Sequence, residues 1–255
     1  MKSESIGRKL QKDEQNLLVI ASLPRARLPV TSSIMKVLVV GANGKVGTIL
    51  CGKLWAAHDF SPVALIRDSR QATKFTALGV PAVTGDLEVG VADFLPGLDA
   101  VVFTAGSGGH TGPEKTTDVD QNAAIRLMDD CVKSGVKRFV MISAIGADPN
   151  SESERIRHYL RAKGVADAYL RSSGLDYTIL APGTLLDERG VGRIQAEEDL
   201  GFHGYLPRED LADCVVETLR NFLTLGKTIQ LVAGRDKVKD AIAGVAGGGD
   251  LPPIA

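Results

Sequence analysis

Residues 36–50, KVLVVGANGKVGTIL, constrain the fold more than any other part of the chain. An apolar, β-branched run ends at a glycine. Two further glycines come at three-residue spacing, and the third falls inside a stretch with helical character. Gly41, Gly44 and Gly47 thus mark a strand, a tight turn and a helix in immediate succession. Glycine permits the turn and lets backbone N–H groups approach a diphosphate at the positive end of the helix. One such motif is weak by itself, and its meaning depends on the elements to either side of it.

Beyond the motif the chain alternates. Short apolar or β-branched runs at 37–40, 63–66, 82–83, 100–104, 139–143, 177–180 and 228–232 are bounded by turn residues and read as buried parallel strands. Helical stretches lie between them at 45–57, 120–134, 151–173 and 208–224. Strand and helix in repeated alternation define an α/β fold with a Rossmann-like, doubly wound parallel sheet. The expected organisation is an extension over 1–34, one Rossmann domain over 35–233 with a small substrate region within 181–225, and a tail over 234–255. The extension is basic and polar, with a short apolar patch that suits neither a signal peptide nor a transit peptide. It reads as dispensable, with Met35 standing just before the first strand.

Composition narrows the function. A net charge of −1 lacks the basic excess usual for nucleic-acid or membrane-surface partners. No apolar run is long enough to span a bilayer. Cys51, Cys131 and Cys214 are scattered through helical patterns and read as small buried hydrophobes. The four histidines are isolated and no Cys/His spacing suits a metal, so no metal is expected. The expectation is a cytoplasmic monomer or homodimer acting on a small molecule.

The positions after each strand carry the binding chemistry. Asn43, Lys45 and Val46 complete the glycine turn. Arg67 ends the second strand, where a carboxylate would bind a ribose 2′-hydroxyl and an arginine suits a 2′-phosphate. Arg70 and Lys74 can add positive charge, whereas Asp68 can turn in and favour the unphosphorylated nucleotide. The expected cofactor is therefore NADP(H), with NAD(H) the lesser alternative. Asp86 and Leu87 come after the third strand, where the carboxylate can meet the adenine amino group or cap the next turn. Ala105, Gly106 and Ser107 come after the fourth strand, where the dinucleotide would pass closely.

These segments, with Asp118-Val119-Asp120, residues 135–139 (GVKRF), Tyr159-x-x-x-Lys163 and residues 177–183 (YTILAPG), resemble the short-chain dehydrogenase/reductase superfamily. The likeness is to its small atypical, NAD(P)H-binding members related to the NmrA-like proteins and the epimerase/dehydratases. It spans about residues 35–232. The resemblance implies that Tyr159 is the acid/base and that Lys163 serves both Tyr159 and the nicotinamide ribose. Four apart on a helix, the two share a face, and the ammonium is expected to lower the phenol toward neutrality. The resemblance also places a serine near Ser143 and an asparagine at Asp120. The aspartate lacks the amide's donor, and Ala181 stands where relatives often carry arginine. Of the histidines, His110 falls in a loop expected near the nicotinamide, and His158 is expected on another helix face. The leading reading is an NADPH-dependent oxidoreductase of a small carbonyl, quinone-like or flavin-like substrate. The alternatives are an NADP(H)-sensing regulator without catalysis and an NAD(P)-dependent epimerase/dehydratase, the latter disfavoured by the short stretch after the sixth strand.

Overall fold

The computed structural model describes residues 34–108 and 112–247. The extension lies outside the described residues except for Ile34 at its end. In chain order the elements are β1 (Met35–Val40), α1 (Lys45–Ala56), β2 (Phe60–Ile66), α2 (Ala72–Ala77), β3 (Ala82–Thr84), β4 (Ala100–Phe103) and α3 (Pro113–Thr116). A π-helical segment, Thr117–Ala123, runs into α4 (Ala124–Ser134), followed by β5 (Arg138–Ile142), α5 (Arg157–Ser172), β6 (Asp176–Pro182) and β7 (Thr184–Leu186). The chain continues through β8 (Arg193–Glu197), β9 (Tyr205–Pro207), α6 (Arg208–Arg220), β10 (Lys227–Ala233), β11 (Asp236–Lys237) and α7 (Val238–Ala246).

The main sheet runs β3-β2-β1-β4-β5-β6-β10-β8-β11. It is parallel from β3 to β10, and β8 joins antiparallel at one edge. This is the doubly wound α/β architecture expected from the alternation. Its physical signature lies in β1, whose last four residues are fully buried. Val37 and Val39 pack with Leu50 and Leu54 of α1, Leu211 and Val215 of α6, and Ile242 of α7. Leu38 and Val40 point the other way, into a second core with Leu127 and Met128 of α4 and Leu170 of α5. A strand covered on both faces has no polar side to alternate with, which is why it reads as one apolar run.

Four boundaries differ from the sequence reading. The helix expected from Ser151 begins only at Arg157, because short polar side chains upstream make their own turns. Asp148 Oδ1 accepts the Asn150 N–H at 2.7 Å, for example. The helix expected from Asp120 instead begins at Pro113, with the π-helical segment between. α6 stops at Arg220, where the Asn221 side chain caps a separate 3-10 turn. The segment assigned to a tail holds β11 and α7, and Val238, Ile242 and Ala246 are buried at helical spacing. The ordered core therefore extends to Ala246. β7, β8, β9 and β11 carry no strand signal in the sequence, being short, and β8 and β11 are mostly polar as well. All three cysteines are buried, and burial pushes the Cys51 and Cys131 thiols up to about 12.

Candidate active site

Sheet order reverses between β1 and β4, and the carboxyl ends of β1, β4, β5 and β6 open there onto one cavity of about 630 Å³. Gly44, Lys45 and Val46 line it from the glycine turn, and Ala105, Gly106 and Ser107 from the loop after β4. Asp120, Ser143, Tyr159 and Lys163 line it from the opposite side.

The glycine turn has the shape its sequence demands. Gly41 sits at φ +82°, and a Cβ there would meet the Ala105 backbone nitrogen at 2.5 Å. On Gly47 a Cβ would collide with the Gly41 carbonyl oxygen. The amino end of α1 therefore closes directly onto β1 and the β4 loop. That end has no side-chain cap and no acidic residue in its first turn. Lys45 and Val46 of its first turn line the cavity, and a helix amino end fits the diphosphate of a dinucleotide. Lys45 at this end pairs with Asp187, which also accepts from Arg208 at 2.8 Å.

The residues expected to meet an adenosine stand at the ends of β2 and β3. Arg67 stands exposed at the end of β2. Asp68 accepts the Arg70 N–H at 2.9 Å and pairs with the Arg70 guanidinium, which holds its carboxyl below the usual range. Asp68 is thus engaged with Arg70, and Arg67 is the basic residue left open at this point. Lys74 reaches back to the glycine turn, donating to Thr48 Oγ1 at 2.8 Å and the Asn43 carbonyl at 3.3 Å. Asp86 Oδ1 accepts the Glu88 N–H at 2.9 Å, the capping arrangement that is one of its two expected roles. Leu87 packs half-buried against the second core.

The side of the cavity under β5 and α5 centres on a buried cation. Lys163 is 3% exposed. Its Nζ lies 3.1 Å from Asp120 Oδ1 and donates to the Ile142 carbonyl at 3.1 Å. The π-helical segment brings in Asp120, which is 0% exposed. The wider turn is a recurrent device at functional sites. Asp120 Oδ2 also accepts the Ser107 N–H at 2.9 Å, so one carboxylate ties the β4 loop to the lysine. Burial by itself would lower the Lys163 ammonium. The Tyr159 phenol once ionised, with the Asp120 and Asp167 carboxylates, outweighs it, and the group is raised.

Tyr159 departs from expectation. Its ring centroid is 5.9 Å from Lys163 Nζ, so the pair is assembled, yet the phenol is raised rather than lowered. Burial is the main cause, and Lys163 opposes it. Asp120 and Asp167 add negative charge on the same side, cancelling part of the ammonium's effect. Spacing alone could not show that the ammonium already had a counterion.

Ser143 is 2% exposed, and its hydroxyl donates to Asp167 Oδ2 at 2.5 Å. Asp167 comes one helical turn after Lys163 and two after Tyr159, so helical spacing alone puts it on their face. His158 also lines the cavity, contrary to the face expected for it, because α5 begins only one residue before it. His110 lies outside the described residues. Thr184, Arg155 and Arg208 complete the mouth, and no sequence signal marks them. Among the described residues there is no acidic, histidine or cysteine group that could hold a metal, and no helix long and apolar enough to cross a membrane.

A doubly wound sheet with a glycine turn at its switch point defines a nucleotide-binding α/β protein, and known proteins narrow the class. The NAD(P)H-binding family matches residues 41–222. An uncharacterized sugar epimerase of Bacillus subtilis, YhfK, is 37% identical over 212 residues, covering 82% of this chain and 99% of its own. A candidate NAD-dependent epimerase/dehydratase of Bacillus halodurans superposes with a TM-score of 0.79 at 36% identity, over 82% of this chain and 99% of its own. ChuY, an anaerobillin reductase of Escherichia coli O157:H7, superposes with a TM-score of 0.67 at 27% identity, over 80% and 99% of the two chains. The chain belongs to the NAD(P)H-binding family.

Proposed function

We propose that the protein is an NADPH-dependent reductase of a small carbonyl, quinone-like or flavin-like acceptor. One observation carries this reading: Tyr159 stands beside the Lys163–Asp120 pair in the switch-point cavity. A reduced nicotinamide supplies a hydride when bound. The amino end of α1 and the glycine turn hold the diphosphate, and the Ala105–Ser107 loop, tied down by Asp120, flanks the passage toward Lys163. Tyr159 holds a proton at its phenolic oxygen and gives it to the acceptor, and the Lys163 ammonium, which opposes the effect of burial, favours the phenolate left behind. That a relative carries the name of a reductase supports the direction.

Arg67 supports NADPH over NADH, because Asp68 is turned into its pair with Arg70. A guanidinium matches a phosphate better than it matches a hydroxyl. Arg67→Ala should raise the Kd for NADPH about tenfold and leave that for NADH unchanged, measured by nicotinamide fluorescence. NADPH oxidation against aldehydes, quinones and flavins tests the reaction itself. Tyr159→Phe is expected to lose about a hundredfold or more in kcat while still binding NADPH. Full turnover by Tyr159→Phe would refute the mechanism.

A second reading, an NADP(H)-responsive regulator without catalysis, is favoured by the Ser143 hydroxyl, whose proton is directed at Asp167 instead of the cavity. A partner protein binding equally in both redox states of the cofactor would exclude it. The epimerase reading rests on relatives' names and ranks below both.

A further inference from the structure

Asp167 acts on Tyr159 and Lys163 only through its charge, and its placement is unusual for a carboxylate. It is 2% exposed, and its Oδ1 is buried without a hydrogen-bond partner among the described residues. Its Oδ2 accepts from Ser143 at 2.5 Å, and Ser143 lines the cavity. Buried, half-satisfied carboxylates are costly to keep, so such a group calls for an explanation.

A serine hydroxyl has one proton and two lone pairs. While Asp167 is ionised it can only accept, and the Ser143 proton is committed to it. Ser143 then turns only lone pairs toward the cavity. Once Asp167 is protonated it can donate to Ser143 Oγ, and the hydroxyl proton is released. We propose that Asp167 is a positioning residue that sets the hydrogen-bond polarity of Ser143. Ser143 is an acceptor toward the substrate when Asp167 is charged and a donor to a substrate carbonyl when Asp167 is neutral. This deepens the reductase reading and rests on it. At neutral pH the site suits an acceptor bearing an N–H or O–H beside the reacting centre, with Tyr159 as sole proton donor. A bare carbonyl is better served in acid.

The switch falls within reach of ordinary conditions. Burial raises the Asp167 carboxyl from 3.8 to about 6, against the opposing effects of Ser143, Lys163 and Arg171. These groups, with Tyr159 on the same helix and Asp120 beyond Lys163, make up the charged and titratable surroundings. His158, a second protonatable group, also lines the cavity, and the test separates the two.

Menadione, a quinone without an N–H or O–H donor, is the probe, with NADPH as reductant from pH 5 to 8. Wild-type kcat is expected to rise about tenfold as pH falls through about 6, the effect of one neutral hydrogen bond on a barrier. Asp167→Asn and Asp167→Leu should both flatten that limb. Ser143→Ala should abolish it while leaving His158 in place. A flat wild-type profile, or a limb surviving in Ser143→Ala, overturns the proposal. If menadione is not reduced at any pH, the reductase reading fails by itself, and carboxyl NMR of aspartate-labelled protein then decides. The Asp167 resonance should titrate near pH 6 and move upward in Ser143→Ala, which removes a hydrogen bond to the charged form. An unmoved midpoint overturns the proposal.

Discussion

Strand β5 begins on one buried cation and ends against another. At its first residue, Arg138 is 4% exposed and donates to the Asp176 and Thr218 carbonyls and to the Thr178 and Thr224 hydroxyls, at 2.9–3.3 Å. Beside its last residue, Lys163 meets one carboxylate, one carbonyl and a cavity. The arginine's hydrogen-bond partners are all neutral groups of the fold, and burial lowers it to about 10. The lysine keeps a counterion and is raised instead. Partner chemistry, not depth, separates the two. Neutral acceptors spread around a planar guanidinium pin β5 to β6, α6 and the turn before β10. An ion pair beside a void leaves charge available for chemistry.

The largest expected effect tests the structural end. Arg138→Met should cost about 3 kcal/mol or more, since buried acceptors lose a charged donor. NADPH affinity per folded molecule should not change. Urea denaturation with cofactor titration checks both, and a large loss of affinity would erase the contrast between the ends.

Asp167→Asn should act in the opposite direction at the other end. With its carboxyl raised in the folded protein from 3.8 to about 6, the stability contributed by protonated Asp167 is complete below about 3.8 and lost as pH rises through about 6. The variant should therefore be more stable than wild type at pH 7.5, by about 1–3 kcal/mol. The gap should close as pH falls toward 4. Denaturation at several pH values measures it, and a destabilised variant at pH 7.5 would show that Asp167 holds the helix in place.

The smallest effect is the sharpest on mechanism. Asp120 both pairs with Lys163 and adds to the raised phenol of Tyr159. Asp120→Asn should lower the Tyr159 titration, followed by phenolate absorbance with Tyr159→Phe as the blank. No movement would mean that burial alone sets the phenol.

Much of this site was legible in the sequence, and the reason is locality. The glycine turn, the Tyr159/Lys163 spacing and the apolar runs of β1, β4, β5 and β6 are short-range patterns, each set by backbone geometry within a few residues. The residues at the mouth were not legible. Arg208 opens a helix that packs against α1, and nothing near it in sequence refers to the cavity. Asp167 was legible in principle, one turn beyond Lys163, but its meaning depends on Ser143, 24 residues away. β8 and α7 escaped sequence reasoning because a short polar strand and a helix close to the chain end acquire their burial from β10, α6 and each other, all set by the tertiary fold.

From the sequence alone came the doubly wound fold, the place of the dinucleotide turn and the pairing of Tyr159 with Lys163, since periodicity, turn chemistry and helical spacing are properties of a local chain. Tertiary structure alone decided where the protons sit. Asp120 claims the lysine, burial raises the phenol and Asp167 holds the serine, because a proton's free energy depends on every charge and dipole packed around it, whatever their distance along the chain.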